Sequence, residues 1–433
     1  MKNIIKSKYV TKSLLALVAA GALASCKPTF NEMIPSNGEA DFSRYIAVGN
    51  SLSAGYADGG LYLEGQQNAI PELLGQQMKT AGGGEFNSPF FSEAQANGTG
   101  YAQLTGFSAT GSPIITAVTN NLAWIATGKF AKYEGTFNNY GVPELKLVNY
   151  DTKGYATANP FFARMLGSSA ANSSYLDVVS AQDFTFFSFW EGHNDILGYA
   201  YSGGSQALTS TTEFRRLYTL AVEKLTAKGA KGVVGTIGDI LAIPYFNVVT
   251  LKALQAGVAS VAPNATFYIR TAAGVIAADS TVKFTLPLSS ANVIGKPDGA
   301  NRPYGLHPGN PIATNYVVDK TEQATITSTI NAYNAIIKEI ATAKGLAIVD
   351  VDDLMTQYYT PKMVNGAALS TAFITGNIFS LDGIHLTPLG NAVTTNAFIK
   401  AINQKYKASL PIVNIAHYRG VKFPASAPAP IPQ

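Results

Sequence analysis

Residues 214–237 read FRRLYTLAVEKLTAKGAKGVVGTI, and this one window holds two different periods. Phe214, Leu217, Ala221, Val222 and Leu225 recur at helical offsets, so the first half is an amphipathic helix that Gly229 is placed to end. Gly232-Val233-Val234-Gly235-Thr236-Ile237 follows as a short buried strand. The order repeats downstream: Ile326, Ile330, Tyr333, Ile337 and Ile340 mark a helix closed by Gly345, and Leu346-Ala347-Ile348-Val349-Asp350-Val351 is the next strand. Helices alternating with buried strands are the pattern of a parallel sheet covered on both faces.

Upstream, Arg44-Tyr45-Ile46-Ala47-Val48 is a β-favouring run broken at Gly49, and Asn68 to Leu74, with Pro71 in the first turn, starts a helix. A further short helix is expected around Phe161 to Leu166, and Phe184 to Trp190 reads as a strand buried on both faces. The expected fold is α/β: a single flavodoxin-like domain over residues 41–410, three layers deep (α/β/α), with a mainly parallel sheet. From about 243 to 325 the periodicity dissolves into Ala, Gly, Pro, Asn and Ser clusters, which predicts a long insertion over the core. Residues 411–433 are expected to form a Pro- and Ala-rich C-terminal tail.

The 433 residues are 47% apolar and only 13% charged, about half the usual charged share, so a sizeable core is assured. Lys2, Lys6, Lys8 and Lys12 flank the start of an apolar run, Leu14 to Ala24, that is shorter than the ~20 residues a membrane-spanning helix needs. The run ends in Leu23-Ala24-Ser25-Cys26, where small residues directly precede the chain's single cysteine. This ending resembles a bacterial lipoprotein signal. The resemblance implies removal of residues 1–25, acylation of Cys26 by lipid such as palmitate, and a short tether over 26–40. Lys27 is not the Asp linked to inner-membrane retention, so the implied location is the cell envelope, at the outer membrane of a Gram-negative-type bacterium. Removing residues 1–25 takes away four lysines and no acid, which lowers the formal charge from +4 to 0. The chain that remains has no basic excess, so nucleic acid is excluded as an expected partner.

Three constellations carry chemistry. Gly49-Asn50-Ser51-Leu52 follows the first strand, Glu191-Gly192-His193-Asn194-Asp195 follows the aromatic strand, and Leu381-Asp382-Gly383-Ile384-His385-Leu386-Thr387-Pro388 lies near the C-terminus. A serine on a tight turn at a strand's carboxyl end faces the crevice where such sheets bind ligands. A carboxylate three residues before a histidine can hold one ring nitrogen while the other faces a nucleophile.

Together, in this order, the three resemble the signature blocks of the SGNH (GDSL-like) hydrolase family, over roughly Asp41 to Tyr406. The resemblance implies Ser51 as nucleophile, His385 as base and Asp382 as its acidic partner, with the Ser51 amide and the Asn194 side chain as oxyanion donors. Tyr140-Gly141-Val142-Pro143 resembles the family's second block; Gly141 is either a further oxyanion amide or a plain turn before Pro143. Asn50 replaces the family's usual Asp, and Glu144 stands where a glycine is frequent.

The same resemblance implies a serine esterase or lipase that cleaves acyl or acetyl esters of lipid or glycan through an acyl-enzyme, with neither a metal nor an organic cofactor. The expected partners are a small-molecule or glycan ester and, through the N-terminal lipid, a membrane. The alternative is a lipid-anchored carbohydrate- or lipid-binding envelope protein with a vestigial site. Whether Ser51, Asp382 and His385 converge separates the two.

Overall fold

The computed structural model describes residues 34–109, 111–126, 128–166 and 172–424. Residues 1–25, Cys26 and the last nine residues lie outside the described residues. At the centre is a five-stranded sheet of β1 (Tyr45–Gly49), β2 (Asn139–Gly141), β3 (Phe186–Trp190), β4 (Lys231–Gly235) and β5 (Ala347–Val349), in the order β2-β1-β3-β4-β5. All four pairings are parallel. This is the flavodoxin-like order expected from the sequence, and its strand order reverses between β1 and β3.

The strand residues alternate between two cores, as a two-residue period requires. Ile46, Val48, Phe187, Phe189 and Val234 enter one core, with Phe214 and Leu217 of α4 (Thr211–Thr226) and Ile330 and Tyr333 of α5 (Lys320–Ala343). Tyr45, Ala47, Phe186, Trp190 and Val233 enter the other, with Leu73 and Met78 of α2 (Ile70–Thr80) and Phe398 and Ile402 of α7 (Pro388–Tyr406). Three layers result. Phe186, Phe187 and Phe189 are fully enclosed, and each such side chain contributes ~1.5–3 kcal/mol.

Helix ends follow their local chemistry. Asp319 and Glu322 form a reciprocal capping box at the start of α5, and Gly345, at φ 68°, supplies the left-handed turn into β5. In α2 the cap is Ala69, and the side-chain amide of the preceding Asn68 turns back to the Glu64 carbonyl.

The 243–325 stretch has a small core of its own, around Phe267, Ile269, Phe284 and Ile312, with an antiparallel hairpin of Tyr268–Thr271 and Gly274–Ala277. A second hairpin, Tyr101–Phe107 with Pro113–Val118, lies between β1 and β2 along the chain and was not expected from periodicity.

The boundaries differ at both ends. The Glu39 amide bonds to the Tyr406 carbonyl and Ala40 is buried, so packing begins before Asp41. Within the expected tail, Val413 and Ile415 join the second core and Arg419 pairs with Glu64, so residues up to Val421 pack on the domain. Apolar side chains spaced along that stretch hold it down despite its prolines.

Candidate active site

The turn after β1 is built by close approach. A Cβ on Gly49 would lie 2.4 Å from Ser53 Oγ and 2.9 Å from the Trp190 carbonyl, so only glycine fits there. Asn50 then caps the single-turn helix α1 (Ser51–Ala54) by accepting the Leu52 amide at 3.0 Å. Ser51 is the first helical residue, whose N–H has no intrahelical acceptor. Its hydroxyl is buried at the carboxyl end of β1, at the point where the strand order reverses.

His385 reaches that hydroxyl from the loop before α7. Its Nε2 is 2.8 Å from Ser51 Oγ, and its Nδ1 is 2.8 Å from Asp382 Oδ2. With the Nδ1 proton held by the carboxylate, Nε2 is left to accept from the serine. Asp382 is fixed in turn: Oδ1 accepts the Ile384 and His385 amides at 2.9 Å each, and Oδ2 also accepts the Gly59 amide at 2.9 Å. Burial acts to raise this carboxyl, but the adjoining His385 charge and these hydrogen bonds outweigh it and hold it well below the usual carboxylate range. Thr387 caps α7 through the Gly390 amide, with Pro388 in the first turn, so the histidine loop ends on a rigid helix.

Three residues that support this loop had no signal in the sequence. Asp58 is buried, and its carboxylate accepts the Leu381 amide at 2.9 Å and the Tyr62 hydroxyl at 2.7 Å. The Tyr56 ring lies tilted against the imidazole of His385, 4.7 Å between centroids. Tyr245, at the start of the 243–325 segment, donates its amide to the Gly383 carbonyl at 3.0 Å.

Asn194 opens α3 (Asn194–Tyr201) after β3 and donates its Nδ2 to the Leu145 carbonyl at 2.9 Å. The same nitrogen carries a second hydrogen for another acceptor. Asp195 pins the neighbouring turn by accepting the Leu147 amide at 2.7 Å and the Thr209 hydroxyl at 2.6 Å.

Gly141 does not serve as the further donor that the resemblance allowed. Its amide is taken by Asn139 Oδ1 at 2.9 Å, and it is a glycine because a Cβ there would lie 2.4 Å from the Ala54 nitrogen. Three residues on, Glu144 adopts φ 66°, a left-handed conformation that favours glycine, and its amide has no acceptor among the described residues. A glycine sought by its neighbours in sequence thus fell on the packing position instead of the one whose backbone is unusual.

Ser51, Asn194 and His385 line one pocket of about 80 Å³ with otherwise mostly apolar walls. His193 lines it too; burial, then the charge of His385, pushes its imidazole down to about 3, so it is neutral there. The other two histidines sit elsewhere: His307 Nδ1 accepts the Gly309 amide, and His417 pairs with Asn414. Among the described residues no group of three or more His, Cys, Asp or Glu side chains is arranged to hold a metal, and no helix is long and apolar enough to cross a membrane.

No family model and no curated protein matches the sequence. Among solved structures, the chain is similar to a lipase/acylhydrolase from Enterococcus faecalis, with 11% identity, TM-score 0.34, and coverage of 86% of this chain and 100% of that one. It is also similar to an acetyl xylan esterase variant from Geobacillus stearothermophilus, with 10% identity, TM-score 0.35 and coverage of 87% and 98%. A third is an α/β hydrolase from the metagenome of Lake Arreo, with 12% identity, TM-score 0.35 and coverage of 84% and 96%. At these scores the likenesses carry no argument about what this site does.

Proposed function

We propose that the protein is a serine esterase of the SGNH type that hydrolyses carboxylic esters through an acyl-enzyme. The observation that carries this reading is the unbroken chain from Ser51 Oγ to His385 to Asp382, with both links at 2.8 Å. His385 Nε2 takes the Ser51 proton as Oγ attacks the acyl carbon, then gives it to the leaving alkoxide as the ester C–O bond breaks. Water attacks the acyl-Ser51 ester, giving its proton to His385; the C–Oγ bond breaks, and Ser51 recovers that proton as the acid leaves.

The oxyanion is assigned to the Ser51 amide and Asn194 Nδ2, with the free amide of Glu144 in the place that the resemblance offers to Gly141. Asp382 keeps His385 in the tautomer that accepts from serine and stabilises the imidazolium that forms. In this reading the protein is anchored in the envelope through lipid on Cys26. Replacement of Cys26 by Ser is expected to abolish incorporation of labelled palmitate and to release the protein from membranes.

The test is labelling of the protein by a fluorophosphonate probe. Wild type is expected to label, whereas Ser51→Ala and His385→Ala are not. A folded wild type that does not label overturns the hydrolase reading in favour of a binding protein with a vestigial site.

A further inference from the structure

We infer that the ester taken by this site carries a short acyl group of two to four carbons, seated in the pocket beside Ser51, and that long-chain lipid esters are excluded. The inference rests on the hydrolase reading above and assigns its substrate class.

The pocket holds about 80 Å³. An apolar cavity that admits benzene measures about 150 Å³, roughly twice this one, so there is room here for only a few heavy atoms. The walls are Leu52, Leu197, Ile240, Ile243, Val351 and Met355, with no lysine or arginine among the lining residues. Each buried methylene gains ~0.8 kcal/mol until the space is filled, after which overpacking costs ~1–3 kcal/mol. An acyl group bearing its own carboxylate would find no cation there.

The chemistry decides which half of the ester enters. After the first step the alcohol departs and water takes its place, so the alcohol side needs an open path. The acyl group stays bonded to Ser51 Oγ through both steps, and a small, mostly apolar pocket suits the part that stays. One wall of the pocket is set by Gly238, where a Cβ would lie 3.3 Å from Val351 Cγ1 and 3.8 Å from Met355 Cγ. Met355 is half-buried on a short helix, α6 (Val351–Thr356), and its unbranched side chain forms part of the same wall.

The experiment compares kcat/KM for the p-nitrophenyl esters of acetate, butyrate, octanoate and palmitate, in wild type, Met355→Ala and Gly238→Val. Wild type is expected to cleave octanoate at least tenfold less efficiently than butyrate, and palmitate less efficiently still. Met355→Ala should raise the octanoate-to-acetate ratio about tenfold, and Gly238→Val should lower butyrate relative to acetate. Octanoate cleaved as well as acetate by a protein whose Ser51 labels normally would overturn the inference and leave the hydrolase reading standing, as would an unchanged ratio in Met355→Ala. Failure of every ester together with absence of Ser51 labelling removes the hydrolase reading itself and the inference with it.

Discussion

Asn50 Nδ2 stands 3.4 Å from Glu191 Oε2, and both side chains are buried. Glu191 Oε2 also accepts the Gly192 amide at 3.0 Å, while Oε1 has no partner. Burial, then the charge of Asp195, pushes the Glu191 carboxyl well above its ordinary range. Asn50 is the group that departs from the resembled family, and Glu191 gives the departure a physical sense: the carboxyl stands at the end of β3 instead of in the serine turn. Asn50→Asp would set two carboxyls against each other and is expected to cost about 1–3 kcal/mol together with much of kcat. Adding Glu191→Gln should restore both. Calorimetric melting and kcat for the single and double variants check the pairing; a double variant no better than Asn50→Asp alone would sink it.

Glu72, on α2 against the second core, is pushed up to about 7 by burial, opposed only by a hydrogen bond from Ser88, and its Oε1 is unpartnered. The unfolded chain ionises this group near 4.5, so between there and about 7 the folded state holds the extra proton. Stability therefore falls as pH rises through that window, by up to about 3 kcal/mol, and is level in this respect above it. Glu72→Gln should abolish the fall. Urea unfolding of both proteins at pH 5 and pH 8 reads the difference directly.

Loss of the Asp382 charge leaves His385 without its tautomer. Asp382→Asn is expected to lower kcat by roughly 10⁴-fold with the fold intact. Asn194→Ala, which removes one of the oxyanion donors proposed above, should cost roughly 10²- to 10³-fold in kcat with little change in KM. Steady-state rates on p-nitrophenyl acetate, beside circular dichroism for the fold, measure both.

Gly141 and Glu144 are expected to behave in opposite ways. Gly141→Ala forces a Cβ to 2.4 Å from the Ala54 backbone and should destabilise the α1 turn and lower activity. Glu144→Gly keeps the amide while relieving a left-handed backbone, so melting temperature should rise, by an amount matching about 1 kcal/mol, with activity retained. Retained stability and activity in Gly141→Ala would overturn the packing role assigned to Gly141.

Ser51, Asp382 and His385 were legible because each sits in a short segment whose turn, cap and strand residues are neighbours in sequence. The strands and helices of the 214–237 window were legible for the same reason: period alone separates them. Asp58 was not, since its partner Leu381 lies 323 residues away and nothing local marks a carboxylate that holds a distant loop. The identity of the free amide in the 139–145 turn was hidden too, because it depends on the Asn139 side chain folding back onto the Gly141 amide. The Tyr101–Phe107 and Pro113–Val118 hairpin escaped because its second strand is mostly exposed, so it shows no alternation of apolar and polar residues. The packing of residues 411–424 escaped because composition reports Pro and Ala but not the anchoring Val413, Ile415 and Arg419.

The hydrogen bond between Ser51 and His385 joins residues 334 positions apart, through a sheet whose strands come from most of the chain between them. Under the proposed function, chemical reactivity at Ser51 is a gauge of long-range closure: no early fragment of a growing or refolding chain would possess it, however much local helix it has formed. In a refolding experiment, probe labelling should appear last, after secondary structure and after burial of the tryptophans, and its rate would time the arrival of the final loop and helix.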